Sequence, residues 1–182
     1  MIKDMEKATT KWVFDPSHSE LTFKVKHLMI TNVKGEFQKF SIEMGDGDFE
    51  QSNVKVSVDT TSITTNNTDR DTHLKSADFF DAENHPVMSF VSTSFEKVDD
   101  EEYRLKGLLT IREVTKEVLI DVEYGGSSKD PWGNEKVGFS LNTKINRKDW
   151  GLNWNAALET GGVLVSDEVK IFGEVQFVKQ TV

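Results

Sequence analysis

From Lys11 almost to its end, the chain alternates apolar and polar residues with a period of two, and few folds accept that pattern over so long a stretch. Trp12 and Phe14, then Leu21, Phe23, Val25, His27 and Met29, make an apolar series with Glu20, Thr22, Lys24 and Lys26 turned the other way. Tyr103, Leu105, Gly107, Leu109 and Ile111 alternate against Glu102, Arg104, Lys106 and Thr110. Val118, Ile120, Val122 and Tyr124 do the same, followed by Val137, Phe139, Leu141 and Ile145 and finally by Val169, Ile171, Val175 and Phe177. Every second side chain of a strand faces the same side, so each segment reads as a half-buried β-strand. Phe40, Ile42 and Met44 fall on the opposite parity to Gly35 and Phe37, which predicts a β-bulge near Gln38 and Lys39. Residues 45–48 read as a turn, Val54, Val56 and Val58 as a short strand, residues 125–133 as a long loop, and residues 146–162 as irregular. About eight strands joined mostly by short turns make a sandwich or a closed barrel. Their length and constant parity favour an eight-stranded antiparallel β-barrel, all-β, whose interior just holds one slender ligand. The barrel domain is expected over residues 11–180, behind a polar, frayed tail of residues 1–10.

The longest interruption of the alternation runs over residues 60–90. Asn67 or Thr68 can cap a helix whose first turn holds Asp69 and Asp71, so a short helix is expected over residues 69–76. Leu74, Ala77, Phe79 and Phe80 give this segment an apolar end, and Arg70, Asp71 and His73 a polar one, as in a lid. Pro86 restarts strand pairing at Val87. Met88 and Phe90 then alternate against Val87, Val91 and Phe95, a pattern expected to be buried on both faces where the lid crosses.

Composition narrows the chemistry. A chain of 182 residues can bury a sizeable core without staples, and the absence of cysteine removes thiol catalysis and cysteine-based metal sites. A formal net charge of -9, with no run of Lys or Arg, argues against nucleic acid and against an anionic membrane surface. No apolar stretch has the length of a signal peptide or a membrane span, so the chain reads as cytoplasmic, with no membrane insertion. His18, His27, His73 and His85 lack metal-ligand spacing and no Gly-rich phosphate loop is present; neither a metal nor a cofactor is expected.

The candidate site is the apolar face itself. Phe23, Val25, Phe37, Phe79, Phe80, Phe90, Leu109 and Phe139 either fill the barrel as core or line a cavity; alternation predicts both equally. His27, the odd member of an apolar stripe, is a ligand contact or a core histidine satisfied by a neighbour, the second being favoured. Asp71 and His73 are two apart on a helix and so cannot form an acid–base dyad directly. Arg70 is expected to pair with Asp81 or Asp149, Asp71 to cap, and His73 to offer a polar contact at the mouth. Arg147 either meets a ligand head group or pairs with Asp149 or Asp71, the alternatives being even, and Trp150 stands beside it as an aromatic contact.

Four blocks carry a family resemblance: WVFDPSHSELTFKVKHL, SITTNNTDRDTHLKSADFFDAENHPVMSF, GLLTIREVTKEVLIDV and WGNEKVGFSLNTKINRKDWGL. In this order and spacing the chain resembles the YceI-like family over roughly residues 11 to 178. The resemblance implies a lipocalin-like elongated barrel that binds a polyisoprenoid or similar long-chain lipid in its interior, often as a homodimer, and it favours a cavity over a filled core. Glu113 stands where relatives often carry glycine and Trp150 where they carry phenylalanine or tyrosine; many relatives also have a secretory signal and a periplasmic role. The reading is a non-enzymatic carrier of an isoprenoid, quinone tail or fatty-acid-like chain. Its rivals are an isomerase or hydrolase using His73 or His27, and a stress or assembly module with a filled barrel.

Overall fold

Eighteen consecutive residues, Thr10–His27, form strand β1, and both of its sides are occupied in the closed structure. The computed structural model describes residues 10–45, 53–156, 158 and 164–181. After β1 come β2 (Thr31–Phe37), β3 (Phe40–Met44), β4 (Val54–Asp59), β5 (Ile63–Thr64) and helix α1 (Thr68–Lys75). Then follow β6 (Val87–Lys97), β7 (Glu102–Ile111), β8 (Val114–Lys129), β9 (Glu135–Asn146) and β10 (Val165–Thr181). Among the described residues the hydrogen-bonded order is β10-β9-β8-β7-β6-β4-β3-β1, and β1 pairs back onto β10, so eight antiparallel strands close a barrel. Closure leaves no free edge around the ring. The short β2–β5 pair extends the wall beyond the ring at the C-terminal end of β1.

Two irregularities set which residues face inward. Along β1, Asp15 opposes Gln176 and Glu20 opposes Glu174, so five steps of β1 match two of β10 and three extra residues bulge out. An odd insertion flips the pleat, which is why Trp12 and Phe14 are even-numbered but Leu21, Phe23 and Val25 odd. The Asp15 carboxylate ties the bulge: it accepts from Ser17 N (3.1 Å) and Oγ (2.7 Å), and contacts His18 Nδ1 (2.7 Å) and Lys136 Nζ (3.3 Å). Burial alone would raise its pKa, but these partners outweigh burial and hold it well below the usual carboxylate range. The second irregularity is at Gln38 and Lys39, where the predicted bulge is a corner between β2 and β3. The Gln38 N–H donates to Ser62 O (3.1 Å), and the Lys39 N–H to Ser62 Oγ (3.0 Å).

Several expectations are corrected. Residues 125–129 are strand, because Gly126, at φ 106°, absorbs a register shift and lets β8 run on to Lys129. The last strand starts at Val165 rather than Val169, and β1 ends at His27, leaving Met29 exposed in the turn. Within residues 146–162, Arg147–Trp150 is a 3-10 turn capped by Asn146. β6 is not covered on both faces: Met88 and Phe90 are buried, while Val87 and Val91 are 52% and 44% exposed. A register shift between Ser92 and Ser94 then brings Phe95 inside. The tail of residues 1–9 and most of the turn at 45–48 lie outside the described residues.

Candidate functional site

The bore divides into two unequal parts. Its lower part is crowded by rings: Phe14 packs on Phe40 (centroids 5.2 Å apart) and on Phe177 (5.9 Å), and Phe177 on Phe139 (6.0 Å). About 130 Å³ of space is left there, among residues that include Phe90, Leu109 and Phe139. The upper part, at the β1–β2 end, keeps about 420 Å³, within the ~300–1,000 Å³ of ordinary small-molecule sites. Phe23, Val25, His27, Phe37, His73, Phe79, Phe80 and Arg147 all line it. Leu21, Met88 and Ile171 line both spaces, so the two lie end to end with no more than side chains between them. The filled-core and cavity readings therefore each hold for one half. Trp150 lines neither space: it is 3% exposed and its Nε1 donates to Leu109 O at 2.9 Å, behind the wall.

The upper cavity is capped by α1, which starts one residue earlier than the spacing predicts. Asn67 Oδ1 accepts the Arg70 N–H (3.0 Å), the capping role expected of Asn67 or Thr68. Asp71 anchors the helix to the chain before it. Its Oδ1 accepts Thr65 N–H (2.8 Å) and Thr65 Oγ1 (2.6 Å), and its Oδ2 accepts Thr64 Oγ1 (3.3 Å). Arg70 donates from Nε to Thr65 Oγ1 (2.7 Å) and from Nη2 to Thr65 O (2.9 Å). Neither Asp81 nor Asp149 pairs with it, correcting the expected salt bridge: the guanidinium reaches the backbone five residues before it first. Arg112, on the β7–β8 turn, fastens the far end of the segment through Phe79 O at 3.4 Å. The left-handed position of that turn is Arg112 (φ 57°), so Glu113 needs no glycine.

Burial raises the pKa of Asp71, but bonds from Thr65 and Thr64 and the charge of Lys75 overcome it and leave the pKa below its ordinary 3.8. A carboxyl depressed in the folded state stabilises above its unfolded pKa and loses that stabilisation as pH falls through its folded pKa. The cap is therefore expected to loosen in acid, below the ordinary carboxylate range, before the barrel unfolds. Amide exchange over residues 65–75 reads this directly. Asp71→Asn should speed exchange there at neutral pH and abolish the acid step; a step that persists in the variant would assign it to another group.

Arg147 lines the cavity but pairs with neither Asp149 nor Asp71. Only 3% exposed, it donates from Nε to Ser166 O (2.9 Å), from Nη1 to Leu152 O (2.6 Å) and Trp154 O (2.8 Å), and from Nη2 to Val165 O (3.3 Å). Four of its five N–H groups are thus committed to carbonyls. Its nearest carboxylate is Asp167, at 4.0 Å, not Asp149 or Asp71. Burial pulls its pKa below the usual guanidinium range and the Asp167 charge partly restores it. The side chain fastens the segment 152–156 to β10 and so builds the cavity wall.

His73 stands on that wall, its ring edge-on to Trp154 (4.5 Å) and Phe79 (5.1 Å), with Nε2 2.9 Å from Asp78 Oδ2. Asp71 is turned away toward Thr65, as the helical spacing required. His27 is half-buried at the rim and makes no side-chain hydrogen bond among the described residues, correcting its expected role as a satisfied core histidine. Residues missed as site residues include Leu74, Trp154, Leu164, Ile145 and Ile171. Ile145 and Ile171 were visible as inward-facing by parity, but Trp154 and Leu164 lie where no periodicity exists to place them. Among the described residues no three His, Asp or Glu side chains converge as metal ligands do.

The family model for the YceI-like domain matches residues 12–177. The chain belongs to the YceI-like domain family. A UPF0312 protein of Staphylococcus epidermidis is 41% identical over 171 residues, spanning 92% of this chain and 97% of that one. The solved YceI protein of Campylobacter jejuni superposes with a TM-score of 0.73 at 36% identity, over 85% of this chain and 90% of its own. A polyisoprenoid binding domain from Saccharophagus degradans, implicated in plant cell wall breakdown, shares the fold at a TM-score of 0.68 and 12% identity, over 93% of this chain and 98% of that one. The lipocalin-like barrel is thus common to this chain, a YceI protein at 36% identity and a domain at 12% identity.

Proposed function

We propose that this YceI-like barrel is a non-enzymatic carrier of a long-chain amphiphile: a polyisoprenoid, an isoprenoid quinone tail or a fatty-acid-like chain. The observation that carries the reading is the 420 Å³ upper cavity, walled by apolar side chains and rimmed by Lys26, His27, Asp69, Arg70 and His73. A hydrocarbon tail suits the interior and a polar head group the rim. Each buried methylene contributes about 0.8 kcal/mol, so one five-carbon unit supplies on the order of 3 kcal/mol before ordering costs. The binding activity in the Saccharophagus domain's name supports the same class of guest. Denaturing extraction of the purified protein, followed by lipid mass spectrometry, should recover one class of chain lipid, and the folded protein should take up a fluorescent polyprenol analogue. Recovery of nothing, together with no uptake, would falsify the carrier reading. The contact between His73 and Asp78 sustains one rival, an acid–base enzyme acting on the same guest. A His73→Gln variant that still takes up lipid but loses a measured conversion would install that rival in its place.

A further inference from the structure

The lysines are scattered in the sequence, but the strand register gathers them. Lys34 of β2 lies opposite Lys24 of β1, Lys24 opposite Lys170 of β10, and Lys170 opposite Lys144 of β9. At about 4.8 Å between strands, this is a row roughly 14 Å long. It stands on the outer face of the strands that wall the upper cavity, because the neighbouring residues Phe23, Val25, Ile145, Val169 and Ile171 point into that cavity. Lys26 extends the patch, and Glu36 and Glu168 border it. Like charges directly opposite one another destabilise a sheet, and none of the four is ion-paired among the described residues; Lys24 lies 5.2 Å from the centre of the Phe172 ring. Four residues along the same strands, about 13 Å away, the wall turns acidic: Glu20 opposes Glu174, and farther round the barrel Glu123 opposes Glu102. A chain of net charge -9 thus carries a basic row at one level of this wall and acidic pairs at another, with Asp69, among the described residues, the one carboxylate in the lining of the cavity beside the row.

The hairpin next to the lysine row carries exposed apolar residues. Leu28, Met29 and Ile30, at the tip of the β1–β2 hairpin, are 38%, 50% and 78% exposed. Leu28 and Met29 both take positive φ (54° and 62°), an unfavourable conformation for a large apolar residue. We infer that this end of the barrel docks on an anionic lipid surface, with the lysine row against the head groups, the Leu28–Ile30 tip in the interface and the upper cavity's mouth toward the bilayer. A basic row alone would take any polyanion. An apolar tip beside it gains only where hydrocarbon lies under the charge, which selects the lipid surface. This inference rests on the outer wall and requires no guest in the cavity, so it stands or falls separately from the carrier reading.

Flotation of the full chain with vesicles tests it. Binding is expected to vesicles of equal parts phosphatidylglycerol and phosphatidylcholine, to weaken with salt, and to be absent on phosphatidylcholine alone. Lys24→Gln, Lys144→Gln and Lys170→Gln combined should weaken it roughly a hundredfold, at about fivefold per lysine. Removing the repulsion should at the same time leave thermal stability equal or higher, which separates lost docking from lost folding. Met29→Ser with Ile30→Ser should weaken vesicle binding but leave binding to a single-stranded DNA oligonucleotide unchanged. Three results would overturn the inference: equal binding to both vesicle types, an unaffected triple variant, or oligonucleotide binding as tight as vesicle binding with no effect of the tip variant on either. The last would mark a general polyanion site.

Discussion

Replacing Arg147 with methionine is expected to lower the free energy of unfolding by about 4 kcal/mol, more than most single surface or core changes in a barrel of this size. Methionine fills much of the volume but donates nothing, so the carbonyls of Leu152, Trp154 and Ser166 lose this donor together, while that of Val165 keeps Asn155 Nδ2 at 2.7 Å. Each buried acceptor left dry costs roughly 1–3 kcal/mol, and the more exposed of the three regain water, which keeps the total below the simple sum. Arg147→Lys should restore less than half of the loss, because a single ammonium cannot match the guanidinium's planar fork of donors. The check is the denaturant midpoint at unchanged slope. A methionine variant within about 1 kcal/mol of the natural chain would show that the carbonyl cage is not what holds segment 152–156 in place.

Ile171→Trp should abolish uptake of long chains while sparing short ones. Ile171 lines both the upper and the lower space, so an indole there fills the junction between them. A guest whose tail must pass that point loses at least one five-carbon unit of burial, about 3 kcal/mol or roughly a hundredfold in affinity. A guest that fits the upper cavity alone loses far less. Overpacking costs about 1–3 kcal/mol of stability, so the variant's unfolding must be measured alongside its binding. Phe172→Trp, one residue along on the outer face, serves as the control. If long and short chains lost affinity equally in Ile171→Trp, the lower space would have no part in binding.

Much of this could be seen in the chain alone. A period of two decides the face of each residue without reference to its partner strand, which is why Phe23, Val25, Phe37, Phe90, Leu109 and Phe139 all turned out to point inward. The cap was legible for a different reason: Asn67 and Asp71 accept backbone N–H groups three and six residues away, and such local roles survive without tertiary knowledge. Legibility failed where long-range partners compete with local ones. Arg70 was expected to find a carboxylate and found the Thr65 carbonyl. The aspartate partners weighed for Arg147 were Asp149 and Asp71, and it found instead four carbonyls contributed by chain on both sides of a stretch with no periodicity. The two glycines at 125 and 126 resembled a loop because glycine marks turns and strand bulges alike, and only the strand beside them decides which.

Local alternation, capping chemistry and composition by themselves determined a set of strands with one oily face each and a small helical cap, since each acts between near neighbours; they favoured a closed barrel over a sandwich, and the pairing of β1 with β10 decided it. Tertiary structure alone decided which rings crowd the lower bore and which leave the upper one open, because volume depends on how side chains from eight strands meet. It also decided that four lysines far apart in the chain stand shoulder to shoulder: register, not sequence distance, sets what is adjacent across a sheet.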